Sequence, residues 1–269
     1  SIPAKVFFMM NTLLNCAVNY LDETTSKKQF KAKLSVESTQ TRMDGILSTL
    51  MPPLVFEELR CLPPDAPQPT HTYKLATICQ SDLCGFTQLS STRTPREVVQ
   101  FMGELFGSFD ELTDTFGVYK VETVGDAYIA GMAEAPLTPT NSPVNVVLFG
   151  LAMIDAVHKW ARNLGENVTC RVGVHYGECI GGIVGIGMKR YHLFGKLLCG
   201  MEVLESTAPE GKVQISPACK AALEKQAAPE VKQLLFKQRE EPHLQTSKGH
   251  THEYESVGGR TFVVTRVGS

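Results

Sequence analysis

The chain is predicted to fold as an α+β domain, a mainly antiparallel sheet covered by helices. Three observations carry that reading. Apolar residues recur at three- and four-residue spacing from Pro95 through Phe116, and again after Pro143. Short apolar runs flank glycine-bearing turns at Gly125-Asp126 and around Gly177. Helical and strand patterns alternate along the chain with no internal repeat.

In order, the apolar stretch Ile2 to Val18 is interrupted by Lys5, Asn11 and Asn15, and Asn19 to Leu50 reads as a helix. Met51-Pro52-Pro53 ends that helix, because proline lacks an amide donor and restricts the residue before it. Val55 to Leu62 gives room for one more turn, and Pro63, Pro64, Pro67 and Pro69 mark an extended linker. The expected organisation is a helical segment over 1–50, a proline-rich linker over 51–72 and a compact domain over 73–269.

Leu75 to Cys79 is a candidate buried strand. Pro95 suits the first turn of a helix that buries Val98, Met102, Leu105, Phe109 and Leu112. Val118 to Val121 and Ala127 to Met132 form a hairpin across Gly125-Asp126. Val147, Leu151, Ile154 and Val157 share one face of the helix that Pro143 opens. Val168 to His175 and Cys179 to Val184 read as a strand pair turning at Gly177. A helix over Leu197 to Ser206, a strand Val213 to Ile215, a helix from Pro217 to Lys225, a polar mobile loop Lys237 to His250 and a closing strand Phe262 to Val267 complete the chain.

With 269 residues, 26 basic against 28 acidic side chains and a net charge of −2, the chain can bury a large core but lacks the basic surplus of a nucleic-acid binder. No nucleic-acid partner is expected. No apolar run reaches the roughly 18 residues of a membrane span. The eight cysteines are scattered with no C-x-x-C pair, which argues against zinc or a disulfide framework and for a reducing, cytosolic setting.

Two aspartates stand out by context. Asp82 follows the first strand and precedes Gly85-Phe86-Thr87; Asp126 sits at the hairpin tip. Acids at a strand end and an adjacent hairpin tip can converge, and hard divalent cations take a few carboxylates plus phosphate oxygens. Taken singly, Asp126 also reads as turn chemistry and Asp82 as a loop cap.

The motif strings go further. Ser81-Asp82-Leu83-Cys84-Gly85-Phe86-Thr87 resembles the first metal motif of class III nucleotidyl cyclases. Lys120-Val121-Glu122-Thr123-Val124-Gly125-Asp126-Ala127-Tyr128 resembles the second, in its guanylyl cyclase form. Arg171-Val172-Gly173-Val174-His175-Tyr176-Gly177 is similar to the central strand and turn, and Arg190-Tyr191-His192-Leu193-Phe194-Gly195 to the purine-side segment. The resemblance runs from about Tyr73 to Val267 in the family's order, and Leu50-Met51-Pro52-Pro53 resembles the end of the signalling helix that precedes such domains.

This resemblance implies a ferredoxin-like α+β core and a guanylate cyclase that turns GTP into 3′,5′-cyclic GMP and pyrophosphate. Two Mg²⁺ or Mn²⁺ ions would activate the ribose 3′-hydroxyl and hold the triphosphate. Asp82 and Asp126 would be the metal ligands, with the Leu83 carbonyl a further one. The amides of Cys84, Gly85, Phe86 and Thr87 would hold phosphate oxygens. Glu122 matches the guanine-selecting glutamate, His192 replaces a cysteine common in guanylyl cyclases, and Lys248 resembles a phosphate-contacting lysine.

Departures divide the site in two. Where the family carries a transition-state asparagine and arginine, this chain has Cys199 and Val203. Lys196 replaces a polar or acidic residue, and Gln80 an aromatic one. The chain therefore reads as the metal-bearing half of a heterodimeric or pseudo-heterodimeric cyclase, inactive without a complementary domain, with Glu122 in a second, non-catalytic pocket. An adenylate cyclase half using ATP, and a regulatory pseudo-cyclase, are the alternatives. The expected location is cytoplasmic, at the cytosolic face of a membrane, within a larger protein tethered through its N-terminal segment. His175 is expected as a satisfied core histidine, and His243, His250 and His252 as solvent-exposed.

Overall fold

The structure is a computed structural model that describes residues 2–48, 50–63, 65–185 and 189–268. It has two units, the N-terminal helix and a compact body from Leu50 onward. The first is a single helix, α1 (Ile2–Ser48), continuous from the apolar stretch into the polar one. Its described apolar side chains, among them Phe7, Phe8, Leu14 and Leu21, are exposed.

The body opens with α2 (Pro53–Cys61), where Pro53 begins the helix and Val55 and Phe56 are buried. Strand β1 (Thr70–Cys84) is three times the length of the apolar run that announces it. Then follow α3 (Phe86–Ser91), α4 (Pro95–Phe116), β2 (Tyr119–Val124), β3 (Ala127–Met132), α5 (Pro143–Leu164) and β4 (Thr169–Val184). The second half holds β5 (Arg190–Phe194), α6 (Lys196–Ser206), β6 (Val213–Ile215), α7 (Pro217–Gln226), β7 (Leu234–Gln238), β8 (Leu244–Gln245), β9 (Thr251–His252) and β10 (Phe262–Arg266).

Local chemistry fixes the helix ends. Thr94 caps α4 through a capping box with Glu97, Pro95 occupies the first turn and Gly117 closes the helix at φ 65°. Ser142 and Ser216 cap α5 and α7 by accepting from the Asn145 and Cys219 N–H groups, each serine followed by proline.

The main sheet runs β2-β3-β1-β4-β6-β10-β7, with β5 on β4. Its pairings are antiparallel except β4 with β6. Helices α4 and α5 cover one face, burying Leu105, Phe109, Phe149 and Ile154 against Cys79, Tyr128, Val172 and Val174. Helix α5 is also the one described helix long and apolar enough to span a membrane, and most of its apolar window is inside this core.

Helix α6 crosses the opposite face, and Gly173 sets how closely. A Cβ there would collide with the backbone of Leu204 and Glu205. Gly173→Ala should therefore lift α6 off β4 and cost about 3 kcal/mol or more, read as a fall in the denaturant midpoint. An unchanged midpoint would show that the helix has room to move.

Three expectations need correction. Gly177 is no turn: β4 runs straight through it, because β1 pairs continuously from Ala76↔Gly177 to Cys84↔Thr169 and demands an equally long partner. The segment Lys237 to His250 is not one loop. It contains the end of β7, and β8 pairs with β9 around a tight turn anchored by buried Leu244. Arg190 to Phe194 forms a strand that its short, mixed composition did not announce. Cys61, Cys79, Cys84, Cys170, Cys179, Cys199 and Cys219 are free thiols; the side chain of Cys16 lies outside those described.

Candidate active site

Register brings the acids together. Ser81 pairs with Tyr128 on β3, so stepping toward the end of β1 carries Asp82 to the turn that holds Gly125 and Asp126. That turn needs only two residues because Val124 pairs with Ala127, and Gly125 supplies the left-handed conformation at φ 62°. On the other side of β1, Asp82 pairs with Arg171 of β4.

The result is a cleft of about 670 Å³. Asp82, Leu83, Cys84, Gly85 and Thr87 line it from β1 and the following turn, and Asp126 from the hairpin. Arg171 of β4, Glu205 of α6 and the β8–β9 turn with Ser247, Lys248 and His250 complete it. Phe86 is not among the lining residues; its ring packs against the core under α4 and α5.

An ion-pair chain backs the acids. Arg171 donates from Nη2 to Asp82 Oδ2 at 2.8 Å and from Nε to Glu205 Oε1 at 2.6 Å. Its remaining nitrogen donates to Ser247 Oγ at 3.2 Å, and Gln80 donates to Glu205 Oε2 at 3.2 Å. Burial pushes the Glu205 carboxyl up to about 7, against the opposing pull of Arg171. Burial, then the nearby Asp82 charge, also raises Asp126. Among the described residues no group of three or more His, Cys, Asp and Glu side chains is arranged to hold a metal. Two crowded carboxylates facing an open cleft are nonetheless the partial donor set that Mg²⁺ or Mn²⁺ completes with water and phosphate oxygens. A cation there would relieve the repulsion that raises Asp126.

Glu122 and His192 lie elsewhere, and the structure pairs them with each other. Strands β2 and β5 bring His192 Nδ1 to 3.4 Å from Glu122 Oε2, with the Phe194 ring centroid 6.3 Å from that of His192. Cys199 is exposed on α6; Val203, one turn on, packs against the small cluster of Leu204, Leu244, Tyr254 and Val257. His175 hydrogen-bonds Ser216 Oγ at 2.8 Å, with burial lowering its pKa. His250 is exposed, as expected, and also lines the cleft of Asp82 and Asp126, whereas the exposed His243 pairs with Glu253.

Sequence reasoning missed Arg171, Glu205 and Ser247 as site residues. Strand alternation held the clue for the first, since Arg171 faces away from its buried neighbours Cys170 and Val172. Nothing local marks Glu205, whose role depends on where α6 crosses the sheet.

Residues 69–256 match the family model described as the adenylate and guanylate cyclase catalytic domain. A receptor-type guanylate cyclase of Drosophila melanogaster is 33% identical over 81% of this chain and 14% of its own length. Guanylate cyclase alpha of Plasmodium falciparum is 30% identical over 77% of this chain and 5% of its own. The chain thus spans a small part of the relatives it matches. Among solved structures, the guanylate cyclase domain of RhGC from Catenaria anguillulae, in complex with GTP, superimposes with a TM-score of 0.60 at 24% identity, over 73% of this chain and 98% of that one. The adenylyl cyclase CyaB from P. aeruginosa gives 0.59 at 18% identity, over 75% of this chain and 97% of that one. At these identities the structural likeness speaks for the fold.

Proposed function

This chain belongs to the adenylate and guanylate cyclase catalytic domain family, and from that premise we propose that it converts GTP to 3′,5′-cyclic GMP and pyrophosphate as the metal-binding half of a site shared with a complementary cyclase domain. The observation that carries the reading is the convergence of Asp82 and Asp126 on one open cleft. The guanine assignment draws on the guanylate cyclases among its relatives.

Asp82 and Asp126 would hold two Mg²⁺ or Mn²⁺ ions, with the Leu83 carbonyl as a further ligand. Bound there, the ions would acidify the ribose 3′-hydroxyl and neutralise the triphosphate. The chain's own groups do the rest. Arg171 fixes the Asp82 carboxylate, while the backbone from Cys84 to Thr87 and the Lys248 ammonium offer donors to phosphate oxygens. Alignment then favours in-line attack of the 3′-oxygen on the α-phosphorus; the hydroxyl proton departs and the bond to pyrophosphate breaks.

The same reading gives purine recognition and transition-state support to the partner. Cys199 and Val203 carry neither an amide nor a guanidinium, and Glu122 is already engaged by His192. Leu75, Ile180 and Phe194, each about half exposed on β1, β4 and β5, offer apolar area for a neighbouring domain. Because Glu122 is engaged, the nucleotide is set by the partner, which keeps an adenylate cyclase half as the second reading.

The test is cyclic nucleotide production with Mn²⁺ and either GTP or ATP, for the chain alone and mixed with a complementary cyclase domain of proven competence. Cyclic GMP in the mixture alone is expected. Cyclic AMP there would establish the adenylate alternative. Activity of the isolated chain would overturn the division of labour, and silence in the mixture would favour a regulatory domain.

A further inference from the structure

Helix α2 is fastened to the sheet by a hydrogen-bond chain that the metal-side cleft does not use. His71 Nε2, on β1, lies 2.8 Å from Glu58 Oε2 on α2. Its Nδ1 lies 2.9 Å from the Tyr191 hydroxyl on β5, which in turn lies 2.6 Å from the Tyr73 hydroxyl. An ionised glutamate only accepts, so Nε2 donates to Glu58, while Nδ1 and the two hydroxyls carry the chain on through Tyr191 to Tyr73. Burial keeps both phenols protonated, pushing Tyr73 up to about 12 and Tyr191 further in the same direction.

Tyr191 is held a second time through its main chain, its N–H donating to the Leu50 carbonyl at 3.4 Å. Met51, Val55 and Phe56 are buried beside this attachment along the chain. Gly181 opens the slot: a Cβ there would collide with the Tyr191 hydroxyl. The next residue, His192, points to the other face of β5, where it meets Glu122 of β2. Among the described pairings β5 is hydrogen-bonded only to β4, so its place depends heavily on what grips its side chains.

We propose that Tyr191 is a positioning residue through which the docking of α2 sets the Glu122–His192 pair. With α2 docked, the Glu58–His71–Tyr191–Tyr73 chain holds β5 where His192 reaches Glu122. Release of α2 frees β5 and separates the pair. This coupling stands whichever nucleotide the domain uses.

Hydrogen exchange and the His192 ring resonances, measured on the full chain, test it. Glu58→Ala and Tyr191→Phe are expected to speed exchange of β5 amides roughly tenfold while β3 is unchanged. Both should move the His192 resonances toward those of a Glu122→Gln reference. Glu58→Gln, which still accepts from Nε2, should leave both signals as in the parent chain. Faster exchange in α2 with His192 unmoved would overturn the coupling, as would unchanged β5 exchange. Should Tyr191→Phe unfold the domain, Glu58→Ala decides, because that side chain is nearly half exposed and its loss removes only the outer link.

Discussion

Replacing Asp126 with alanine should lower turnover of the assembled pair by about 10³-fold or more, the scale of the several kcal/mol that metal ions supply to a transition state. Asp82→Ala should do the same. The substitution at the hairpin tip is structurally mild, since Gly125 keeps the turn and the backbone hydrogen bond of the Asp126 carboxylate is to its own residue. Burial and Asp82 raise the Asp126 pKa in the folded chain, so the native state binds its proton more tightly than the unfolded state. In the metal-free domain this group therefore lowers stability as pH rises through the carboxylate range. Asp126→Ala should match or exceed the parent in Tm without metal, and should lose the upward Tm shift that Mn²⁺ gives the parent. Full turnover in the variant, or an undiminished Mn²⁺ shift, would remove Asp126 from the metal site.

Installing the two missing groups should have the opposite effect. Cys199→Asn with Val203→Arg places an amide and a guanidinium one turn apart on α6. Each such donor is worth roughly 10² to 10³ in rate. The double variant, with no partner domain added, should gain at least about 10²-fold in cyclic nucleotide production over the parent chain. Cys199 is exposed, so asparagine fits without repacking. The stem of an arginine at 203 can lie along Leu244 and Tyr254 with its head in solvent, so the fold should tolerate it. Production no greater than the parent's, from a variant that keeps the Mn²⁺ shift, would show that the missing groups are not what silences the chain. The two experiments are independent, one removing the metal side and the other restoring the opposite side.

Much of this protein was legible in its residues. Pro95, Thr94 and Glu97 announce α4, and Gly117 announces its end, because caps and first-turn prolines act within a few residues. The Gly125-Asp126 hairpin is local in the same sense: two residues and one positive φ decide it. The order of the four motifs identified the family, and with it the two aspartates.

Other features needed the assembled sheet. Gly177 looks like a turn until β1 is long enough to pair through it. Arg171 becomes the partner of Asp82 only through a register between residues 89 positions apart in the sequence. Glu205 reaches Arg171 because Gly173 lets α6 lie against β4. Glu122 reads as a guanine selector in isolation, yet β2 and β5 hand it to His192. The sequence by itself determined the helix caps, the hairpin tip, the alternation of elements and the pair of acids, all set by short-range backbone and side-chain preferences. Only the tertiary structure decided which charges meet, because strand register and helix crossing are fixed by core packing between distant segments, and a charge finds its partner only after that packing is complete.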